Sequence, residues 1–256
     1  MLRFEVIKCK VPSNQNENIN YNIEREYLVV RCEFDNIGNN KELIDKKALD
    51  LAFKVNPHSA NKSLNIKDKE RLIKDAKGGV LAEHGWLEFI NRSYGINTAS
   101  FTDFNDITCQ IDIVLSNGKT IEVRSSFPRN GVKFAICNER YNFKNICKYN
   151  NFYKPSEINQ DFFACVLFQT QKDQILNDPK ITFYLIGGST RNMMENEKIC
   201  YIDTLLDQDD FTTTEKTQYK VIRLKDALDM RGFIKYMSEL GFTVLESAKS
   251  NFPNII

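Results

Sequence analysis

In Gln110-Ile111-Asp112-Ile113-Val114-Leu115-Ser116-Asn117-Gly118-Lys119-Thr120-Ile121-Glu122-Val123-Arg124, two alternating apolar runs meet at Asn117-Gly118, a strong hairpin signal. A two-residue loop at Asn117-Gly118 would pair Ile113 with Glu122 and Asp112 with Val123, mixing apolar and charged residues on both faces. A three-residue loop, with Gly118 in the left-handed bulge position, pairs Ile113 with Ile121 and Asp112 with Glu122. One face then reads Ile111, Ile113, Leu115, Ile121, Val123, and the other Asp112, Val114, Thr120, Glu122, Arg124. Register follows the face that must be buried, so the three-residue loop is expected. It sets two carboxylates opposite each other, with Cβ atoms about 5 Å apart, where like charges repel. Something positive must stand beside them. Arg124 on the same face, Lys119 or a divalent cation such as Mg²⁺ would serve.

Upstream, the chain reads as helical from Ile66 to about Arg92, broken at Gly78-Gly79. At 100° per residue, Val80, Trp86, Leu87 and Ile90 share an arc, and Glu83 falls in its middle. A carboxylate on an apolar stripe is costly to bury without a cation, a metal or a set of donors. His84, at the edge of that arc, reads as a packing residue. The plainer reading of Asp112, Glu122 and Arg124 is a surface ladder of ion pairs on an exposed sheet face, worth little to stability. Glu83 tips the balance away from it.

Outward from this centre, Phe4 to Cys9, Glu26 to Phe34, Ser100 to Leu115, Lys119 to Ser125, Phe162 to Gln169, Ile181 to Ile186 and Gln218 to Leu224 read as strands. Asn40 to Phe53 reads as a helix through Ile44, Ala48 and Leu51, and Lys225 to Leu240 as a helix closed by Gly241. Gly187-Gly188-Ser189-Thr190 reads as a plain turn, and Asp203, Asp207, Asp209 and Asp210 as an acidic surface loop. The class is α/β (α+β) around a mixed sheet.

With 256 residues, 42% apolar and 27% charged, the chain is globular, and 35 basic against 34 acidic residues leave no bulk field for polyanions. The charge is uneven, however. Between Ile121 and Gln160 seven basic residues stand against three acidic ones, interleaved with Tyr141, Phe143, Tyr149, Phe152 and Tyr153. That mixture suits nucleic acid, Arg129, Lys133, Arg140, Lys144 and Lys148 being the candidate contacts. Seven cysteines without a C-x-x-C pair read as reduced thiols of a cytoplasmic protein. With two histidines, most His-based hydrolase schemes lose their main ingredient. No membrane span and no signal-peptide core are legible.

A helix glutamate (Glu83), a first hairpin strand with Asp112, and a second with Glu122-Val123-Arg124 resemble the PD-(D/E)XK nuclease superfamily, over roughly Lys77 to Gln169. The resemblance implies a restriction-endonuclease-like core, a mixed β-sheet flanked by helices, over 63–190. An N-terminal α/β extension (1–62) and a C-terminal strand–helix extension (191–256) would flank it. It implies a metal-dependent DNA endonuclease of restriction or defence type, using Mg²⁺ with Mn²⁺ as a substitute. Asp112, Glu122 and the Val123 carbonyl would hold the metal, with Glu83 as a further ligand or water-orienting group. A two-fold homodimer would cut both strands. The departure is Arg124, where the family usually carries lysine. Its pKa above about 12 lets it hold a phosphate oxygen but not accept a proton; Lys119 or Lys133 would supply the ammonium from a shifted position. The same departure supports an alternative, a catalytically silent nucleic-acid-binding subunit on the nuclease fold; a small-molecule enzyme on an unrelated α/β fold would be favoured only by burial of the basic–aromatic cluster.

Overall fold

Gly118 adopts φ 82°, and the Leu115 N–H donates to the Lys119 carbonyl at 2.8 Å, closing a three-residue loop over Ser116, Asn117 and Gly118. The register is Ile113 opposite Ile121 and Val114 opposite Thr120, as burial of the isoleucine face requires. This geometry belongs to a computed structural model. It describes residues 2–12, 24–54, 69–102, 112–128, 131–132, 136, 144–150, 160–206, 216–253 and 255, by backbone alone at 12, 24, 54, 144–150, 204–206 and 216–218.

The strands are β1 Leu2–Pro12, β2 Glu24–Asp35, β3 Ala99–Phe101, β4 Ile113–Leu115, β5 Thr120–Ser126, β6 Lys144–Asn150, β7 Phe162–Phe168, β8 Lys180–Thr190, β9 Cys200–Leu206 and β10 Lys216–Arg223. The helices are α1 Gly38–Lys54, α2 Lys69–Tyr94, α3 Arg191–Glu195, α4 Met230–Glu239 and α5 Glu246–Asn251. Seven strands form one mixed sheet in the order β1-β2-β8-β7-β5-β4-β3, and a second sheet runs β6-β10-β9. β5 and β7 are parallel; the other neighbours in the large sheet are antiparallel. The protein is thus mixed α/β with a seven-stranded sheet flanked by helices.

Every residue of β7 is buried, because both its faces are covered. Phe162, Ala164, Val166 and Phe168 join the cluster of Trp86 and Phe89 on α2, Phe233 and Met237 on α4, and Phe252. On the other face, Cys165 and Leu167 meet Val132, Ile136 and Ile186, while Phe163 meets Met194, Cys200, Ile222 and Ala227.

Helix α2 is continuous through Gly78-Gly79, contrary to the expected break. Gly78 lets the helix approach the sheet: a Cβ there would lie 3.0 Å from Phe127 Cζ. Gly85 does the same one face-turn later, where a Cβ would lie 2.6 Å from Phe183 Cε2. The buried arc is centred on Ala82, Trp86 and Phe89, so Glu83 sits on its flank beside Ile90 rather than in its middle. On α1, Ile44 and Ala48 face inward, and the α2 residue Lys77 is wholly buried, its Nζ 2.6 Å from Asp45 Oδ1 and 2.9 Å from Asn36 Oδ1. Burial lowers the Lys77 ammonium, against the pull of Asp45.

Boundaries at residues 62 and 190 do not divide packed units. β1 and β2 belong to the same sheet as β5 and β7, and α4 and α5 enter the same core as α2. The helix expected from Lys225 starts only at Met230, where Asp229 accepts from the Gly232 N–H at 2.9 Å. Gly241 ends it at φ 88°. Strands β6 and β9 were not legible as such. Gly187-Gly188 is no turn: β8 continues through it with a one-residue shift of its register against β7, and Gly188 and Leu228 exchange two backbone hydrogen bonds at 2.8 Å. At Gly187, with φ 85°, a Cβ would lie 2.0 Å from the Leu228 carbonyl oxygen.

Gly187→Ala is therefore expected to destabilise the fold by about 3 kcal/mol or more, through left-handed strain and the backbone clash together. Gly79→Ala, whose Cβ would meet nothing within 4 Å, should gain up to about 1 kcal/mol of helix propensity. Thermal melting of the two variants in parallel checks both signs.

Candidate functional site

Strand β5 keeps β4 as a described partner only as far as Ile121. Beyond it, the Val123 N–H on that edge donates to Asp112 Oδ2 at 2.7 Å, so a carboxylate takes the place of a ladder carbonyl. Asp112 and Glu122 are buried, at 8% and 5% exposure, although both are acidic. Arg124 Nη2 lies 2.9 Å from Glu122 Oε1, and both side chains are largely covered. By the parallel register with β7, Glu122 and Arg124 share the sheet face of Phe163 and Cys165, whereas Ile121 and Val123 face α2.

From the α2 side comes Glu83, half-buried. Burial, and then the negative charges of Asp112 and Glu122, hold its carboxyl well above the usual range; Lys47 on α1 works against them. Asp112 and Glu122 thus both act on Glu83. Lys47 escaped the sequence reading. Its position next to Ala48, flanking the inward stripe of α1, was the available signal. Lys47 Nζ lies 2.9 Å from His84 Nε2, and since an ammonium only donates, that nitrogen accepts. Burial and the Lys47 charge bring His84 down to about 4, and its ring packs edge-on against Phe101 at 4.8 Å. His84 is a packing residue, as expected.

One expected partner lies elsewhere. Lys119 Nζ pairs with Asp161 Oδ1 at 3.1 Å instead of with the hairpin acids. Arg129, Lys133 and Arg140 lie outside the described residues, as do Ile111, Asp207, Asp209 and Asp210, while Lys144 and Lys148 fall on β6. Thr190, from the supposed turn, caps α3 by accepting from the Met193 N–H. Cys9, Cys32, Cys165 and Cys200 take part in no disulfide.

Among the described residues no group of three or more His, Cys, Asp or Glu side chains is arranged to hold a metal ion. The donors nevertheless fit a hard divalent cation in kind: carboxylate oxygens, gathered where burial and mutual repulsion call for positive charge. Strand alternation also puts the Val123 carbonyl on the same edge as its N–H, beside Asp112. Arg124 and Lys47 supply the positive charge that the structure contains.

No family model, no curated protein and no solved structure matches this chain. Its function has to be argued from the site itself. No helix among the described residues is long and apolar enough to cross a membrane.

The raised Glu83 carboxyl has a stability consequence with a definite sign. An unfolded chain releases that proton at a lower pH than the folded one, so folding is penalised above the folded value and relieved below the ordinary glutamate range. Glu83→Gln is expected to raise the melting temperature at pH 7–8 in EDTA, with the gain vanishing on acidification towards pH 4. The His84 contribution runs the other way but is common to both proteins, so the difference between their melting curves isolates Glu83.

Proposed function

We propose that the protein is a metal-dependent deoxyribonuclease of the restriction or defence type, built on a restriction-endonuclease-like core. One observation carries this reading. Asp112, bound to the Val123 N–H, and Glu122 are both buried, and both lie near enough to act on Glu83 of α2. Buried acids kept at mutual cost mark functional sites more often than structural ones.

On this reading Asp112, Glu122 and the Val123 carbonyl hold Mg²⁺, or Mn²⁺ in its place, with Glu83 beside them. When bound, the ion supplies Lewis acidity to the phosphate and to a water. Asp112 is anchored through the Val123 N–H, which donates to its carboxylate. Glu83 would serve as a further ligand or orient the attacking water. Arg124 holds a non-bridging phosphate oxygen and stabilises the charge that develops there; as a guanidinium it takes no part in proton transfer. DNA is the substrate, a two-fold homodimer the assembly that cuts both strands, and the cytoplasm the compartment.

A second reading has its own support. Arg124 stands where the resembled family carries lysine, and its close pair with Glu122 occupies a carboxylate that a metal would need. A catalytically silent, DNA-binding subunit would look like this.

Incubating supercoiled plasmid with the purified protein separates the two. The nuclease reading expects nicking with Mg²⁺ or Mn²⁺, none with EDTA, and none from Asp112→Ala or Glu122→Ala. Arg124→Lys should keep or raise the activity, and total loss would give arginine a dedicated role. Retarded plasmid without any cut under all conditions would leave the binding subunit.

A further inference from the structure

Glu122 and Arg124 stand two residues apart on β5 and share one sheet face, with Arg124 Nη2 lying 2.9 Å from Glu122 Oε1. Only 7% of the Glu122 side chain and 13% of the Arg124 side chain are exposed, so the pair has given up most of its water. Beside it, Asp112 is buried as well, and its Oδ2 accepts from the Val123 N–H at 2.7 Å. Glu83 feels both acids from α2. A carboxylate that the proposed metal site needs is therefore one that a guanidinium already holds. Of the two partners the arginine keeps more contact with solvent, so an anion arriving from outside meets the guanidinium first.

A buried ion pair is costly to open by removing one partner, because the other charge loses its compensation in a poorly solvated place. A divalent cation that took Glu122 alone would deprive Arg124 of this carboxylate. A phosphate that took Arg124 alone would deprive Glu122 of the guanidinium, with Glu83 near enough to repel it. When both arrive, each charge changes partner and neither loses its counter-charge. Arginine makes the exchange strict, since its pKa above about 12 closes the escape by deprotonation that a buried lysine has. Its planar fork suits phosphate as it suits carboxylate, so the new pair replaces the old one in kind.

We infer that the Arg124–Glu122 pair is a latch linking the two ligands of this site: Glu122 is yielded to a divalent cation as Arg124 passes to a phosphate of the DNA backbone. The inference rests on the proposed metal-dependent, DNA-directed function and names how its site is assembled. Such linkage is reciprocal, so whatever factor the duplex adds to metal affinity, the metal adds to duplex affinity. The contact that supports a silent subunit is then the resting state of a working site. Arginine at position 124 makes the metal wait for DNA.

Two binding measurements on the full-length protein read the latch apart from cleavage. With no nucleic acid present, Mn²⁺ titration followed by electron paramagnetic resonance is expected to show Arg124→Gln binding the ion about tenfold or more tighter than wild type. Anisotropy of a short labelled duplex is then read in EDTA and in Ca²⁺, with phosphorothioate linkages in the duplex if a gel shows cutting. The ion is expected to tighten duplex binding by a factor about tenfold larger in wild type than in Arg124→Gln. Lys47→Gln removes a charge that faces Glu83 and leaves the Glu122 pair in place. It should move Mn²⁺ affinity by no more than about threefold and keep the wild-type linkage. If circular dichroism shows Arg124→Gln unfolded, Arg124→Lys is read in both assays, with tighter Mn²⁺ binding and a smaller linkage expected because an ammonium lacks the fork. Mn²⁺ affinity unchanged or weaker in the folded Arg124 variant overturns the inference. So does equal linkage in variant and wild type, a Lys47→Gln that matches Arg124→Gln, or a wild type that takes up no Mn²⁺ even with duplex. A wild type that shows the linkage but never cuts plasmid keeps the latch and ends the nuclease reading. Metal-dependent cutting, with Mn²⁺ affinity indifferent to Arg124, does the reverse.

Discussion

The hydrogen bond from the Val123 N–H to Asp112 is the interaction on which the candidate site depends. A covered backbone donor must be satisfied. Here the Val123 N–H is met by the Asp112 carboxylate, so a charge is drawn into the margin of the sheet. Since β5 is fastened on its other side to the wholly buried β7, the edge cannot move away to spare that charge. Glu122 follows by alternation, one residue from Val123 and on the opposite face from the isoleucines.

Three acids in such a place cost free energy, and the neighbouring cations offset part of it. Arg124 pairs with Glu122 on one face, and Lys47 reaches the flank of α2 from α1 on the other. Burial, with the Lys47 charge beside it, keeps His84 neutral, so this imidazole takes no charge of its own at neutral pH. The arrangement is electrostatically frustrated by the standard of an ordinary core, where a carboxylate on an apolar flank would be replaced by leucine. That frustration, more than any single contact, separates this hairpin from a solvated ladder of ion pairs.

The rest of the architecture holds this margin still. The β2–β8 junction, which closes the other side of the sheet, is tied to the chain's C-terminal third. Tyr27 donates to the Ile186 carbonyl at 2.7 Å, Asp229 Oδ2 accepts from the Leu28 N–H at 2.9 Å, and Gly187-Gly188 admits the Leu228 backbone. Through these bonds the turn before α4 is part of the sheet's scaffold. Phe233 of α4 in turn packs on Trp86 of α2, with ring centroids 4.8 Å apart. The small sheet enters through Phe163, so Cys200 and Ile222, far along the chain, pack on the register partner of Glu122.

Much of the centre was legible in the residues alone. Asn117-Gly118 with its flanking alternation determined the loop length and hence the register, because a slip of one would have buried charges and exposed isoleucines. The same alternation put Asp112 and Glu122 together, and helix periodicity put Glu83 close to an apolar stripe. Strands such as β2 and β7 announced themselves by composition, and Gly241 marked the end of α4. Other features belonged to tertiary structure. Gly78-Gly79 reads as a helix break locally, yet Gly78, and Gly85 two turns on, serve packing against Phe127 and Phe183, which no local pattern reveals. Gly187-Gly188 looked like a turn because the Leu228 backbone that needs the space is some forty residues away. Lys47 was invisible as part of any site for the same reason. A charge acquires its partners through space, and periodicity along the chain records which face a residue takes but not what comes to meet it.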